Sequence, residues 1–515
     1  MLKPPFKLAL LAVLLVAVVF FMTLDVGEPS KTIPITTRSG KARQYFLKGR
    51  TLADRQRDRE ATAQFELAVS EDPQFAYACL YLSRVHPNAK TSLNFLIRAE
   101  ELSPSVSEGE RLLIMASKAY TNRQPLEERR LLEQLVDLYP EDARVHNEFG
   151  NALFWQKDWS GAVAEFIEAI RIDPSFGQPY NGLGYCYRFI GDLVNAETYF
   201  LKYLELLPEE PNPYDSYADL LTEMGRHEEA IEFYLKAMEI RPNFTGPNLR
   251  IAWNYCALGE YAKAIDQLTL LLNSTSDPNE RRRALLGLAT TYADAGDFDR
   301  AASSLSSSCE IARESADYPA LSQDLRSLGL VLLEAGRPDE ASRTFTSSLQ
   351  AVGEAPGTPK TVVENFQLDH MQLTILVWLA RDDMKTSLAL ADHYLELAES
   401  VNDPQRVKKA RQTRGLVELA SGRPDVAIKE LILSDLGDSY TQYHLARAYE
   451  SVGEFGEALK YYRRASTYDQ FNPLTQAFVR KRAREKVVSL LATRPFDGSE
   501  ASGAKSGLKQ TVGLP

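Results

Sequence analysis

The sequence predicts an all-α fold built from stacked helical hairpins, and three observations predict it. Prolines recur at Pro140, Pro174, Pro208 and Pro242, 34 residues apart each time. Between them apolar residues fall three and four positions apart, the spacing of one helix face. Small residues (Gly150, Gly184, Ala218) and large ones (Phe166, Phe200, Tyr234) return in phase with the prolines.

Composition narrows the function classes. The 515 residues carry 59 basic and 70 acidic side chains, a net charge of −11. That excludes a chain-wide basic surface for nucleic acid. With 44% apolar and 25% charged residues, the chain is a core-forming protein rather than a disordered one. Four cysteines and six scattered histidines exclude a disulfide-dense scaffold and a His-rich metal tract.

The N-terminus reads as a signal anchor. Residues 1–7 form a short basic tail with Lys3 and Lys7, and Leu8 to Leu24 hold no charge. As a helix those residues span about 25 Å, close to the ~30 Å hydrocarbon slab once the flanks snorkel. The exit, Val19-Phe20-Phe21-Met22-Thr23-Leu24-Asp25, is too bulky for a cleavage site. Residues 8–24 are therefore expected to form an uncleaved transmembrane helix. Its basic tail places the N-terminus inside and the repeats outside the cytosol, in a bacterial periplasm by preference. Residues 25–41, rich in Thr, Ser and Pro, are expected to be an extended spacer.

The repeat begins at residue 42. From Ala143, Phe149-Gly150 is followed by Leu153, Ala162, Phe166, Ala169 and Pro174. From Gly177, Leu183-Gly184 is followed by Tyr187, Ala196, Phe200, Tyr203 and Pro208. From Pro211, Tyr217-Ala218 is followed by Leu221, Ala230, Tyr234, Ala237 and Pro242. Turns such as Ile190-Gly191-Asp192, Met224-Gly225-Arg226 and Leu258-Gly259-Glu260 separate two helices, with Gly as the left-handed cap. Proline stops the second helix because it has no N–H and clashes with the preceding turn. Small residues sit where helices approach closely, and aromatic ones fill the gap between units. One hairpin cannot bury its apolar face alone, so stacking makes the core.

This pattern resembles the tetratricopeptide repeat. The resemblance implies a right-handed α-α superhelix of about twelve helix-turn-helix units over residues 42–472, behind the single N-terminal transmembrane helix. Residues 42–278 form the 34-residue-period array. Residues 279–472 form a longer-period, more degenerate one, in which Leu288-Ala289, Tyr292 and Ala301 return 40 positions later as Leu328-Gly329, Leu332 and Ala341. Ala351 to Thr361 reads as a loop. Residues 473–492 are expected to be a capping helix with Arg480, Lys481, Arg482, Arg484, Glu485 and Lys486 on its polar face. Residues 493–515 are expected to be disordered.

Chemistry is not foreseen. Phosphate-loop, dinucleotide, nucleophile-elbow and zincin motifs are all missing from the sequence. His146 occupies a packing column, His227 a turn, and His370 and His393 are read as core or solvated residues. The four cysteines fall in different units, Cys256 and Cys309 on non-neighbouring helices of adjacent ones, and are expected to be unpaired core thiols. No catalytic residue, cofactor or metal is expected, and the chain is not read as an enzyme.

The resemblance also implies a concave face lined by the first helix of each unit. Mapped onto this sequence it names Asn147, Asn151 and Trp155, then Asn181, Tyr185 and Arg188, then Asp215, Asp219 and Glu223 as a partner-binding groove. Asparagine amides pair with a peptide backbone through donor and acceptor together, and the acidic third set suits a basic segment. The expected role is a membrane-tethered scaffold binding a protein or peptide segment. Two alternatives stand beside it. One is a regulator whose second half, about residues 280–470, binds a small effector; the other is an enzyme with a cryptic site.

Overall fold

The computed structural model describes residues 31–354, 360–400, 403–467 and 473–493. The anchor expected at residues 8–24, the basic tail before it and residues 494–515 lie outside that range. Among the described residues no helix is long and apolar enough to cross a membrane.

Among the described residues the regular secondary structure is helical, without a strand. Six hairpins of short helices come first: α1 (Gly40–Asp54) and α2 (Asp58–Glu71), α3 (Ala76–Val85) and α4 (Ala89–Leu102), α5 (Glu108–Thr121) and α6 (Pro125–Leu138), α7 (Ala143–Trp155) and α8 (Trp159–Ile172), α9 (Gly177–Ile190) and α10 (Leu193–Leu206), α11 (Pro211–Glu223) and α12 (His227–Ile240). Next come α13 (Pro247–Leu258) with α14 (Tyr261–Ser274), α15 (Pro278–Ala295) with α16 (Phe298–Glu314), α17 (Tyr318–Glu334) with α18 (Pro338–Glu354), and α19 (Lys360–Ala380) with α20 (Met384–Ser400). The pairs α21 (Pro404–Ala420) with α22 (Pro424–Ile432) and α23 (Ser439–Ser451) with α24 (Phe455–Ser466) precede a last helix, α25 (Pro473–Thr493).

Each phasing proline stands just beyond a second helix. Pro140, Pro174, Pro208 and Pro242 follow the ends of α6, α8, α10 and α12 by two residues, as expected of a residue that cannot continue the hydrogen-bond ladder. The longer period after residue 278 comes from longer helices. α15 has 18 residues and α16 has 17, against 13 in α7 and 14 in α8.

Tight turns are set by residues in the left-handed region. Gly191, Gly225 and Gly259 take φ of +90°, +74° and +79°. Gln56, Lys157 and Asp382 take the same place without glycine, at +55°, +64° and +63°, which costs a side-chain residue extra conformational energy.

The columns of small and large residues have a direct physical cause. A Cβ on Gly184 would lie 2.5 Å from the Phe200 ring, and one on Gly150 would lie 2.7 Å from Phe166. Phe166 also closes on Gly182 of the following hairpin, at 2.5 Å from the ideal Cβ. The aromatic side chain therefore fills space within its own hairpin as well as between units. Each such ring is fully buried, worth about 2–3 kcal/mol of transfer free energy.

The chain divides into two units, up to Leu220 and from Leu221, a division that falls within α11. In the first, Phe46 packs among Phe65, Phe75, Tyr77 and Tyr81 at centroid distances of 5.0–5.7 Å. Its N-terminal lead also departs from the expected spacer. Residues 33–39 are bound rather than free. Ile33 is buried, and its N–H donates to Asp142 Oδ2 at 3.0 Å. Thr36 N–H donates to Glu110 Oε1 at 2.9 Å, and Thr37 Oγ1 donates to Asp72 Oδ2 at 2.5 Å. Asp72, Glu110 and Asp142 sit at or near successive junctions between hairpins, so the extended backbone finds a carboxylate at each.

In the second unit α25 packs on α23 and α24, the place of a cap. It also lies against α15. Phe478, Val479 and Ala483 are buried there.

Candidate partner-binding groove

The first unit places the expected groove residues on α7, α9 and α11. Asn147 is 3% exposed, and its Nδ2 donates to Gln178 Oε1 at 3.2 Å. Its Oδ1 is buried and accepts no hydrogen bond from a described residue; the same holds for Asn181 Oδ1. Two amide oxygens on consecutive first helices are thus left with acceptor capacity, a condition that costs about 1–3 kcal/mol when buried.

Tyr185 and Asp219 meet one repeat apart. The Tyr185 hydroxyl donates to Asp219 Oδ2 at 3.0 Å. Burial, then the charges of Asp219 and Asp215, push the Tyr185 phenol far above its ordinary range. Asp215 and Asp219 are both buried, as is Arg188, whose guanidinium stands 5.8 Å from the Tyr185 ring and 5.7 Å from Phe189. Asp215, Asp219, Tyr185 and Arg188 therefore form one connected floor.

The remaining three expected residues stand apart. Asn151 is exposed. Trp155 is 71% exposed as the last residue of α7, and its ring meets Phe154 edge-on at 5.4 Å. Glu223 is exposed and falls beyond the division at Leu220.

Sequence reasoning missed the turn between α1 and α2. Gln178 Nε2 donates to the Ala53 carbonyl at 3.2 Å. Arg144 Nη2 donates to Asp54 at 2.5 Å. Arg57 Nε donates to both Glu210 oxygens, at 2.9 and 3.1 Å. Burial raises the Asp54 carboxyl above its ordinary value, with Arg144 opposing. A backbone carbonyl, an acid and a base from the first hairpin thus meet residues on or beside α7, α9 and α11. Gln56 takes the positive φ of this turn, and without a glycine there the sequence gave no turn signal.

Outside the groove, all four cysteines are free and buried. His370 and His393 do not pair; His393 lies 3.9 Å from Glu396. Among the described residues no group of three or more His, Cys, Asp and Glu is placed to hold a metal.

Four related models, each described as tetratricopeptide repeat, match the chain at residues 115–176, 177–209 with 212–244, 280–352 and 443–474. Among solved structures, MamA from Desulfovibrio magneticus RS-1 is 16% identical, covering 33% of this chain and 97% of its own, with a TM-score of 0.30. YrrB, titled a TPR protein with an unusual peptide-binding site, is 21% identical over 35% of this chain and 91% of its own, with a TM-score of 0.27. PilF of Pseudomonas aeruginosa is 18% identical over 47% and 94%, with a TM-score of 0.28. No curated protein matches the chain.

Proposed function

The chain belongs to the tetratricopeptide repeat family, and from that premise we propose that it is a non-enzymatic scaffold that grips an extended segment of a partner protein along α7, α9 and α11. The observation that carries the reading is the row of amide side chains on the first helices α7 and α9, in which Asn151 is exposed and Asn147 and Asn181 each keep an Oδ1 that accepts no hydrogen bond from a described residue. Backbone N–H groups of an extended chain are the donors such a row is suited to.

The groove is tested by crosslinking mass spectrometry on cells producing the full chain with a photoreactive residue at Asn151. Crosslinks to a partner segment are expected, and Asn147→Ala with Asn181→Ala is expected to cut their yield at least tenfold with helicity unchanged. Unchanged yield removes the groove from the account.

The same reading places the chain at a membrane through residues 8–24, with the repeats outside the cytosol. Its support is the uncharged 17-residue run behind Lys3 and Lys7. Alkaline carbonate is expected to leave the chain in the membrane pellet, and protease added outside the inner membrane is expected to degrade the repeats. Release of the intact chain into the supernatant overturns the tether.

A further inference from the structure

Helix α25 is basic, with Arg480, Lys481, Arg482, Arg484 and Lys486 against a single acid, Glu485. The surface it lies on is the reverse. Arg480 Nε donates to Asp294 Oδ1 at 2.9 Å, and its Nη2 reaches Asp294 Oδ2. The same Nη2 donates to the Cys256 carbonyl at 2.8 Å. Arg484 donates to the Ala257 carbonyl at 3.4 Å, and Arg482 to Glu334 Oε2 at 2.8 Å.

These acceptors share a place in the fold. Cys256 and Ala257 are in the last turn of α13, Asp294 in the last turn of α15, and Glu334 is the last residue of α17. Helix C-termini present unpaired carbonyls and the negative end of the helix dipole. Three first helices in succession thus direct negative ends and two carboxylates at one basic helix. The Phe478 ring of α25 lies 6.3 Å from that of Phe298.

Arg480 and Asp294 have side chains only 11% and 4% exposed. A buried ion pair gains little net stability over apolar packing, and its attested use is selection of one partner in one register. Here it selects an arginine-bearing helix. Covalent attachment gives α25 a high effective concentration at this cleft.

We propose that the cleft across the C-terminal ends of α13, α15 and α17 is a second protein-docking site, that its ligand is a basic, arginine-bearing helix of a partner protein, and that α25 is the chain's own competitor for it. The site is separate from the groove on α7, α9 and α11, and it stands or falls independently of that groove.

The test uses a fluorescently labelled synthetic peptide of residues 473–493 and the full chain. Intact chain is expected to bind it weakly. Full chain carrying Arg480→Ala and Arg482→Ala, which loosens α25, is expected to bind at least tenfold more tightly, and adding Asp294→Asn is expected to reverse the gain. A loosened variant with unchanged helicity that takes up no more peptide than the intact chain overturns the proposal. Should that variant fail to fold, a protease site inserted between residues 467 and 473 provides the second measurement. After cutting, the retained α25 is expected to exchange with labelled peptide within hours. A cut chain that never exchanges, or that aggregates when α25 leaves, makes α25 an inseparable part of the core and overturns the proposal equally.

Discussion

Tyr185 and Asp219 are 34 residues apart, one full repeat, and the hydroxyl of the first donates to the carboxylate of the second at 3.0 Å. The helical period therefore places a phenol on one first helix directly against an acid on the next. Hydrogen bonds to charged groups contribute about 1.5–3 kcal/mol. Tyr185→Phe is expected to lower stability by about 1–2 kcal/mol, because Asp219 keeps its other contacts. A urea midpoint equal to that of the parent chain refutes this.

Glycine at the close contacts is required by volume. A Cβ on Gly329 would stand 2.2 Å from Phe345 Cε1, and Phe345 is buried. Gly329→Ala gains up to about 1 kcal/mol in helix propensity and pays overpacking of about 1–3 kcal/mol. A net loss of about 1–2 kcal/mol is expected in chemical denaturation. Gly329→Ala combined with Phe345→Leu is expected to recover part of it, and a double variant no better than the single one would show that the ring is not the obstacle.

Two histidines give the two units opposite responses to pH. At His146 burial disfavours the imidazolium, but Glu165 at 2.7 Å and the Pro140 carbonyl at 3.1 Å outweigh it and raise the pKa. Its stabilisation is complete below pH 6.5 and fades as pH rises through the raised value. At His444 burial, then Arg447 and Arg482, push the pKa down to about 3. The unfolded chain takes up that proton below pH 6.5 and the folded chain refuses it. Stability held above pH 6.5 is therefore lost on acidification toward pH 3, at up to roughly 1.4 kcal/mol per pH unit. Urea midpoints from pH 4.5 to 8 are expected to lose their acid sensitivity in part with His444→Gln and their alkaline decline in part with His146→Gln. Identical profiles for both variants and the parent refute the assignment.

The thiols are expected to be inert. Burial pushes Cys79 up to about 11 and Cys186, Cys256 and Cys309 up to about 12. At pH 8 the thiolate fraction is then about a thousandth or less. Ellman's reagent is expected to label the folded chain orders of magnitude more slowly than the urea-unfolded chain, where all four react. Rapid labelling of any one in the folded state contradicts its placement.

What was legible in the sequence was what repeats. The prolines after α6, α8, α10 and α12 and the pairing of Gly184 with Phe200 follow from local sterics that recur in every unit, so the period exposed them. Asn147, Asn181, Tyr185 and Asp219 were legible for the same reason, since each occupies a fixed position on a first helix. Arg57 with Glu210, 153 residues away, and Arg480 with Asp294, 186 away, were not. Such pairs occur once, and no period announces them. Trp155 is exposed as the last residue of α7, and its column alone did not show that it stands at a helix end. The lead at residues 33–39 read as a spacer because its composition is that of one. Its order comes from Asp72, Glu110 and Asp142, which lie far along the chain.

That lead changes how the first hairpins come apart. Stacked repeats ordinarily fray from an end, each unit held by its neighbour alone. Here the backbone runs from Asp142 back past Glu110 to Asp72 before α1 begins, like a thread sewn through the spines of several folded pages. The terminal hairpin cannot peel away while the stitches hold, and a pull on the chain ahead of residue 33 is shared among hairpins rather than delivered to the outermost one.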